Sequence, residues 1–271
     1  MLEETQTGGT SPVWEPAVVS VWPNFQESLV GNIVANSKLS YPFLTEIKHL
    51  KKSRPLAIVG GGPSLKHTID DLRAFKGDVL VCSSAHDHVI SQGIAPNYTV
   101  FCDAMPSPQW FTNPQAGCTY LLATQCHPTL FTQLSGQRIV MWHVAGDYPN
   151  EIFEGRGQIP GGCTAALRSI ALGMVLGYTG LHFFGVDSSF EEEKFAYPDD
   201  TDTNEIYDTE FNGRVFKTTL PLIAQAQDLQ RLCTNYGHLF SVTVHGDSLF
   251  ADVWKDMRAK VDALINREKA A

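Results

Sequence analysis

Two aspartates each close an apolar run, Asp103 in YTVFCD and Asp187 in LHFFGVD. A carboxylate at the carboxyl end of a strand lies where open α/β sheets keep their ligands. Two such groups can hold Mg²⁺ against a diphosphate, or one can take a proton from an attacking hydroxyl. A glycine turn, Gly60-Gly61-Gly62-Pro63-Ser64, ends another apolar run and enters the helical pattern SLKHTIDDLRAF. Three successive glycines exceed what one turn needs, and an uncovered helix N-terminus attracts phosphate. Ser64 is placed to cap that helix or to offer its hydroxyl to the ligand. A second turn, Pro160-Gly161-Gly162, precedes the run CTAALRSIALGMVLGY. It fits either a second anion-facing N-terminus or a plain helix start.

The kind of anion can be narrowed. A Walker loop needs Gly-Lys-Ser/Thr, which this chain lacks. A dinucleotide fingerprint needs glycine where Leu65 stands and an acid closing the next strand, which instead ends VCSS with Ser83 and Ser84. NAD and S-adenosylmethionine are therefore disfavoured, and a nucleotide held by small hydroxyls fits better. His143 closes the run RIVMWH and is a catalytic candidate, against the alternative of a satisfied interior histidine. His86 and His88 follow the two serines closely enough to approach a nucleotide. Asp200-Thr201-Asp202 spells a DxD, which the surrounding acidic loop explains as solvated charge. The six cysteines show no CxxC spacing, so they read as free thiols in a reducing compartment, with Cys82, Cys102 and Cys163 expected to be buried in or beside apolar runs.

These residues need elements to hold them. The chain has 271 residues, 43% of them hydrophobic, enough to bury a sizeable core. A formal net charge of -9 argues against non-specific binding to long nucleic acids or anionic membranes. No apolar run is long enough for a membrane span, and the acidic start MLEETQTGGTSPVWEP is unlike a signal peptide, which together read as cytoplasmic. Strands are expected at 55–60, 78–84, 98–103, 119–124, 138–143, 181–186 and 239–244, several as apolar runs covered on both faces. Helical patterns fall at 65–75, 86–92, 163–176, 219–236 and 249–268. This alternation implies an α/β fold, a Rossmann-like, mainly parallel sheet flanked by helices. The organisation expected is a flexible tail at 1–16, a helical lead-in at 17–52 and one domain at 53–271. The acidic, aromatic and aperiodic segment 190–218 reads as a lid whose Phe190, Phe195, Tyr197 and Tyr207 could stack on a base or sugar.

The ordered set NIVANSKL, LAIVGGGPSL, GIAPNYTVFCDAMP and GGCTAALRSIALGMVLGYTGLHFFGVDSSF resembles the MptE-like 6-hydroxymethylpterin diphosphokinase family. That family's domain also forms the centre of the Maf flagellin-glycosylation proteins. The same order is similar to bacterial CMP-sialic-acid-dependent sialyltransferases. The resemblance implies a Rossmann-like nucleotide-binding transferase, with Gly61, Gly62 and Ser64 on the nucleotide, and Ser83 and Asp103 at positions where the sialyltransferases carry asparagines. It also implies roles for the Gly161-Gly162 pair and for the loop from Gly185-Val186-Asp187 to Tyr197. The sialyltransferases carry their catalytic histidine after that loop, and residues 190–218 contain none.

The expected function is nucleotide-dependent transfer, foremost of a glycosyl group from a nucleotide sugar. Transfer of diphosphate from ATP to a hydroxymethyl-bearing acceptor is the first alternative. A catalytically inactive nucleotide-binding module is the second. Asp103 and Asp187 would hold Mg²⁺ or orient the acceptor, which could be a glycan, protein, pterin or modified base.

Overall fold

The computed structural model describes residues 25–47, 49–106, 112–145, 156–198 and 204–270. The expected tail at 1–16 and the DxD at 200–202 lie outside them.

The first strand, β1 (Leu56–Val59), shows why the sheet is covered on both sides. Leu56 and Ile58 enter one large core, while Ala57 and Val59 enter a smaller one, as successive side chains on a strand must. The chain continues through α2 (Leu65–Ala74), β2 (Asp78–Cys82), α3 (His86–Ser91), β3 (Tyr98–Phe101), β4 (Thr119–Ala123) and α4 (Pro128–Gln133). Then come β5 (Arg138–Val144), β6 (Gln158–Ile159), α5 (Ala165–Val175) and β7 (Gly180–Phe184). The elements β8 (Tyr207–Phe211), β9 (Arg214–Thr218), α6 (Leu220–Tyr236), β10 (Ser241–Val244) and α7 (Leu249–Ala270) close it, and α1 (Phe25–Asn36) precedes β1. Leu65 and Leu72 of α2 and Val89 of α3 pack in the smaller core. Leu29 and Ile33 of α1, Leu167 and Ile170 of α5, Leu229 of α6 and Phe250 of α7 pack in the larger one.

Eight strands form one sheet in the order β10-β7-β1-β2-β3-β4-β5-β6, with every pair parallel. The order reverses at β1 and β7. From there the chain builds outward in two directions, and the loops leaving β1 and β7 part to leave a crevice. The seven strands and five helices expected from sequence are all present, and α1 is the helical part of the lead-in.

The segment 190–218 departs from expectation. It is not aperiodic throughout: β8 and β9 form an antiparallel hairpin through Asn212-Gly213, both at positive φ (51° and 76°). Phe211 and Phe216 of the hairpin are buried in the main core. Cys163 also departs, being exposed at the turn before α5, although all six cysteines are free as expected.

Candidate functional site

Strand β1 ends in the glycine turn, where the amides of Gly60, Gly62 and Ser64 are engaged by the protein itself. Gly60 N–H donates to Phe184 O and Gly62 N–H to Gly185 O, both at 2.8 Å, which prolongs the β1–β7 ladder. Ser64 N–H donates to Asp187 Oδ2 at 2.8 Å, and its hydroxyl donates to Oδ1 at 2.5 Å. Ser64 makes no side-chain cap of α2. The anion that this helix N-terminus attracts is the protein's own Asp187, seated so close that a Cβ on Gly62 would strike its carboxylate. Burial pushes the Asp187 carboxyl up to about 6, with the two Ser64 bonds pulling the other way.

A cavity of about 210 Å³ opens above this turn. Gly60, Gly61 and Gly62 form one wall, and Ser83 and Ser84, in a single 3₁₀ turn after β2, form the next. Thr164, Ala165 and Ala166 bring the N-terminus of α5, whose first backbone N–H groups have no intrahelical carbonyl to bond. Gly161 and Gly162 are not in the lining. A Cβ on the first would meet Arg168 at 2.9 Å and on the second Leu167 at 2.7 Å, so these glycines let the turn fold back on its own helix. The end of α5, and not the glycine pair before it, faces the ligand space.

The opposite wall is the expected loop from Gly185, but the residues that brace it, Ser188, Gln225 and Thr164, were not foreseen. Residues Gly185 to Phe190 line it, and Ser188 sits at φ 55°, a conformation non-glycine residues rarely adopt. It is held there from several sides. Ser188 Oγ donates to Gln225 Oε1 at 2.7 Å, Gln225 Nε2 to Thr164 Oγ1 at 2.8 Å, and Thr218 Oγ1 to Ser188 O at 2.8 Å. Phe190 N–H donates to Lys217 O at 2.8 Å, and Phe250 N–H to Asp187 O at 2.9 Å. Lys194 is the cation in this lining, its Nζ donating to Asn204 O at 3.3 Å and lying over the Phe190 ring. One signal for Gln225 was present: it stands on the stripe of α6 that buries Ala226, Leu229 and Cys233, where an apolar residue belongs.

Residues 190–198 run over the turn as a strap. Ala196 N–H donates to Gly61 O at 2.9 Å, Lys66 pairs with Glu193, and His67 Nε2 meets Glu191 Oε2 at 3.2 Å. The Tyr197 ring lies on Gly61, where a Cβ would collide with its hydroxyl, and stacks with Phe195 at 5.6 Å. His88 packs on the same ring at 5.2 Å. His86 is buried against Asp87, 2.7 Å from its carboxylate. Pro63 faces a second cavity, on the far side of Asp187.

Asp103 and His143 stand apart from this group. Asp103 is exposed after β3, and its Oδ1 accepts the Met105 N–H at 2.9 Å. β1 and β2 separate β3 from β7, which sets the two strand ends roughly 14 Å apart at ~4.8 Å per strand. One Mg²⁺ binds oxygens at about 2.1 Å, so the two carboxylates do not share an ion in this arrangement. Among the described residues no group of three His, Cys, Asp or Glu converges as a metal site. His143 is 1% exposed on β5, its Nδ1 2.6 Å from Thr124 Oγ1.

Fold and crevice together define a Rossmann-like α/β domain with a cavity at the switch point of the sheet. A family described as 6-hydroxymethylpterin diphosphokinase MptE-like matches residues 27–193, more than half of the chain, and the chain belongs to that family. Among solved structures it is similar to the Maf glycosyltransferase from Magnetospirillum magneticum AMB-1, with a TM-score of 0.64 and 17% identity over 88% of this chain. The match spans 42% of that larger protein, and at this identity it bears on the fold. The sialyltransferase CstII from Campylobacter jejuni, in complex with cytidine-5'-monophosphate, also matches at 13% identity, over 76% of this chain and 85% of that one. Its TM-score is 0.35, and no argument is drawn from it. No curated protein matches the chain. Among the described residues no helix is long and apolar enough to cross a membrane.

Proposed function

We propose that the protein is a nucleotide-dependent transferase that takes a glycosyl group from a nucleotide sugar bound in the 210 Å³ cavity. The observation that carries this reading is the convergence there of the α5 N-terminus, Lys194, two serines and the Asp187 wall. The donor's phosphates would lie on the first turn of α5 and near Lys194, since the amides of Gly62 and Ser64 are occupied by the protein. A cavity of this size is below the ~300 Å³ of usual ligand pockets, so Tyr197 and Phe195 would shift as the donor enters. The strap is thus read as a lid seen closed.

In the transfer step the acceptor hydroxyl oxygen bonds to the anomeric carbon of the donor. The bond from that carbon to the phosphate oxygen breaks, and its electron pair leaves with the nucleotide. The hydroxyl proton passes to the Asp187 carboxylate, whose raised affinity for protons suits a base working near neutral pH. Ser64 positions that carboxylate. An Mg²⁺ arriving on the donor would neutralise phosphate charge, held by the donor's own phosphate oxygens, since Asp187 acts as the base and Asp103 does not line the cavity.

The family match favours a second reading, diphosphate transfer from ATP to a hydroxymethyl-bearing acceptor. A thermal-shift panel of CMP, UDP, GDP and ATP separates the two, followed by assay of nucleotide release from the preferred donor. A cytidine, uridine or guanosine preference with sugar-dependent release supports glycosyl transfer. ATP preference with AMP release moves the protein to the second reading, and binding without turnover makes it an inactive module. Asp187→Asn should lower release at least 100-fold while the nucleotide shift persists.

A further inference from the structure

Asp187, Ser189 and Phe190 line two cavities at once: the donor space, and a larger one of about 490 Å³ beyond them. The larger space is lined by residues of β9 in the β8–β9 hairpin and of the 247–248 turn. A wall one residue thick, with a carboxylate in it, is what a transfer between two bound molecules needs.

The charges of the second cavity differ from those of the first. Asp187, Glu191, Glu192 and Asp247 face Arg214 and Lys217 in it, four carboxylates against two cations. Arg214 and Asp247 are spoken for by each other, at 2.9 and 3.0 Å, and Arg214 also by Asp252 at 2.7 Å, which leaves Asp187, Glu191 and Glu192 against Lys217. The space therefore repels phosphate and carboxylate groups, whereas the donor cavity offers Lys194 and a helix N-terminus. Phe190, half-buried, belongs to the lining of both cavities, with Lys194 Nζ over its ring at 5.6 Å. The wall is anchored independently of any ligand, by the Phe190–Lys217 bridge and by Leu249 N–H donating to Ser189 Oγ at 3.1 Å.

We infer that this second cavity is the acceptor site, and that it takes a small hydroxyl-bearing acceptor carrying a positive charge, of the amino-sugar class. The inference rests on the transferase reading above and specifies its second substrate. Asp187 is the point where the two sites meet.

The test uses the full chain and three ligands of equal size, methyl glucosaminide, methyl glucoside and methyl glucuronide, followed by saturation-transfer NMR. The expected order is amine, then neutral sugar, then acid, with at least a fivefold difference in signal between the first and last. Glu192 is exposed, so Glu192→Lys should fold normally and reverse the amine-to-acid preference. The same variant should keep its nucleotide thermal shift, because Glu192 does not line the donor cavity. A glucuronide signal equal to or above that of the glucosaminide overturns the assignment. So does a preference that Glu192→Lys leaves unmoved, or a lack of binding by all three. The nucleotide panel reports on the donor cavity alone, so failure there and failure here are read separately.

Discussion

The carboxyl edge of the sheet has two corners that are finished differently. Over β3 and β4, α1 ties the strand ends down. Asn32 Nδ2 donates to Ala104 O and Gln125 O at 2.9 and 3.1 Å, and Asn36 Nδ2 to Thr124 O and Cys126 O at 2.9 and 2.7 Å. Over β1 and β7, the loops part and the carbonyls and amides pair with each other, leaving a hollow floored by glycines. Both corners satisfy their backbone groups, as buried polar groups must. The difference lies in what does so. Side chains reaching in from a helix fill the space they cross, whereas backbone-to-backbone bonds at a glycine turn leave it empty. A site at the edge of such a sheet thus depends on the side chains that stay away.

Three changes test that contrast. The largest effect is expected from Gly61→Val, whose branched side chain enters the open corner and displaces Tyr197. Nucleotide affinity should fall at least 100-fold, about 3 kcal/mol at ~1.4 kcal/mol per tenfold. Gly31→Ala on α1, where an added Cβ meets nothing within 4 Å, should bind as the parent does. Titration by calorimetry with far-UV circular dichroism as a folding control checks both, and unaltered affinity in Gly61→Val breaks the contrast. Next comes Asn36→Ala in the tied corner. Two lost hydrogen bonds and two stranded carbonyls should cost roughly 2–3 kcal/mol in urea unfolding. Nucleotide affinity of the folded variant should stay within twofold.

The smallest effect is a pH slope. The Asp187 carboxyl lies at about 6 in the fold against 3.8 unfolded. Between those values the folded chain holds the extra proton, so stability should fall as pH rises from about 4 to about 6 and level off above. The drop should be about 3 kcal/mol at ~1.4 kcal/mol per pKa unit, and Asp187→Asn should flatten it. Urea titrations at four pH values measure the slope. A slope of the opposite sign would mean that the Ser64 bonds outweigh burial.

The strands were legible in the sequence because apolar runs covered on both faces leave a continuous signal. β6 has two residues and α4 six, too short to show a period. The β8–β9 hairpin was legible and passed over. Its Asn-Gly turn is the strongest short-range hairpin signal, hidden by the acidic residues around it and by exposed β8 positions that blur alternation. At the site, Gly60 to Ser64 and Asp187 were found from their place at strand ends. That they bind each other was not, because Ser64 and Asp187 meet only when β1 and β7 pair. The same holds for Thr164, Ser188 and Gln225, three unremarkable residues until the fold joins them. Asp103 was grouped with Asp187 by pattern, since both end strands, and the strand order alone separates them.

The pairing of β1 with β7 also sets a timetable for the chain as it is made. Leu56 lies beside Leu181 in the sheet, so the hollow has only one of its sides until that far later strand has been synthesised. Until then β1 has β2 on one flank and an open hydrogen-bonding edge on the other, exposed for as long as translation takes. Closing so long a loop is slow compared with pairing neighbours. The nascent chain therefore has a period in which most of its sheet can exist and the hollow between β1 and β7 cannot.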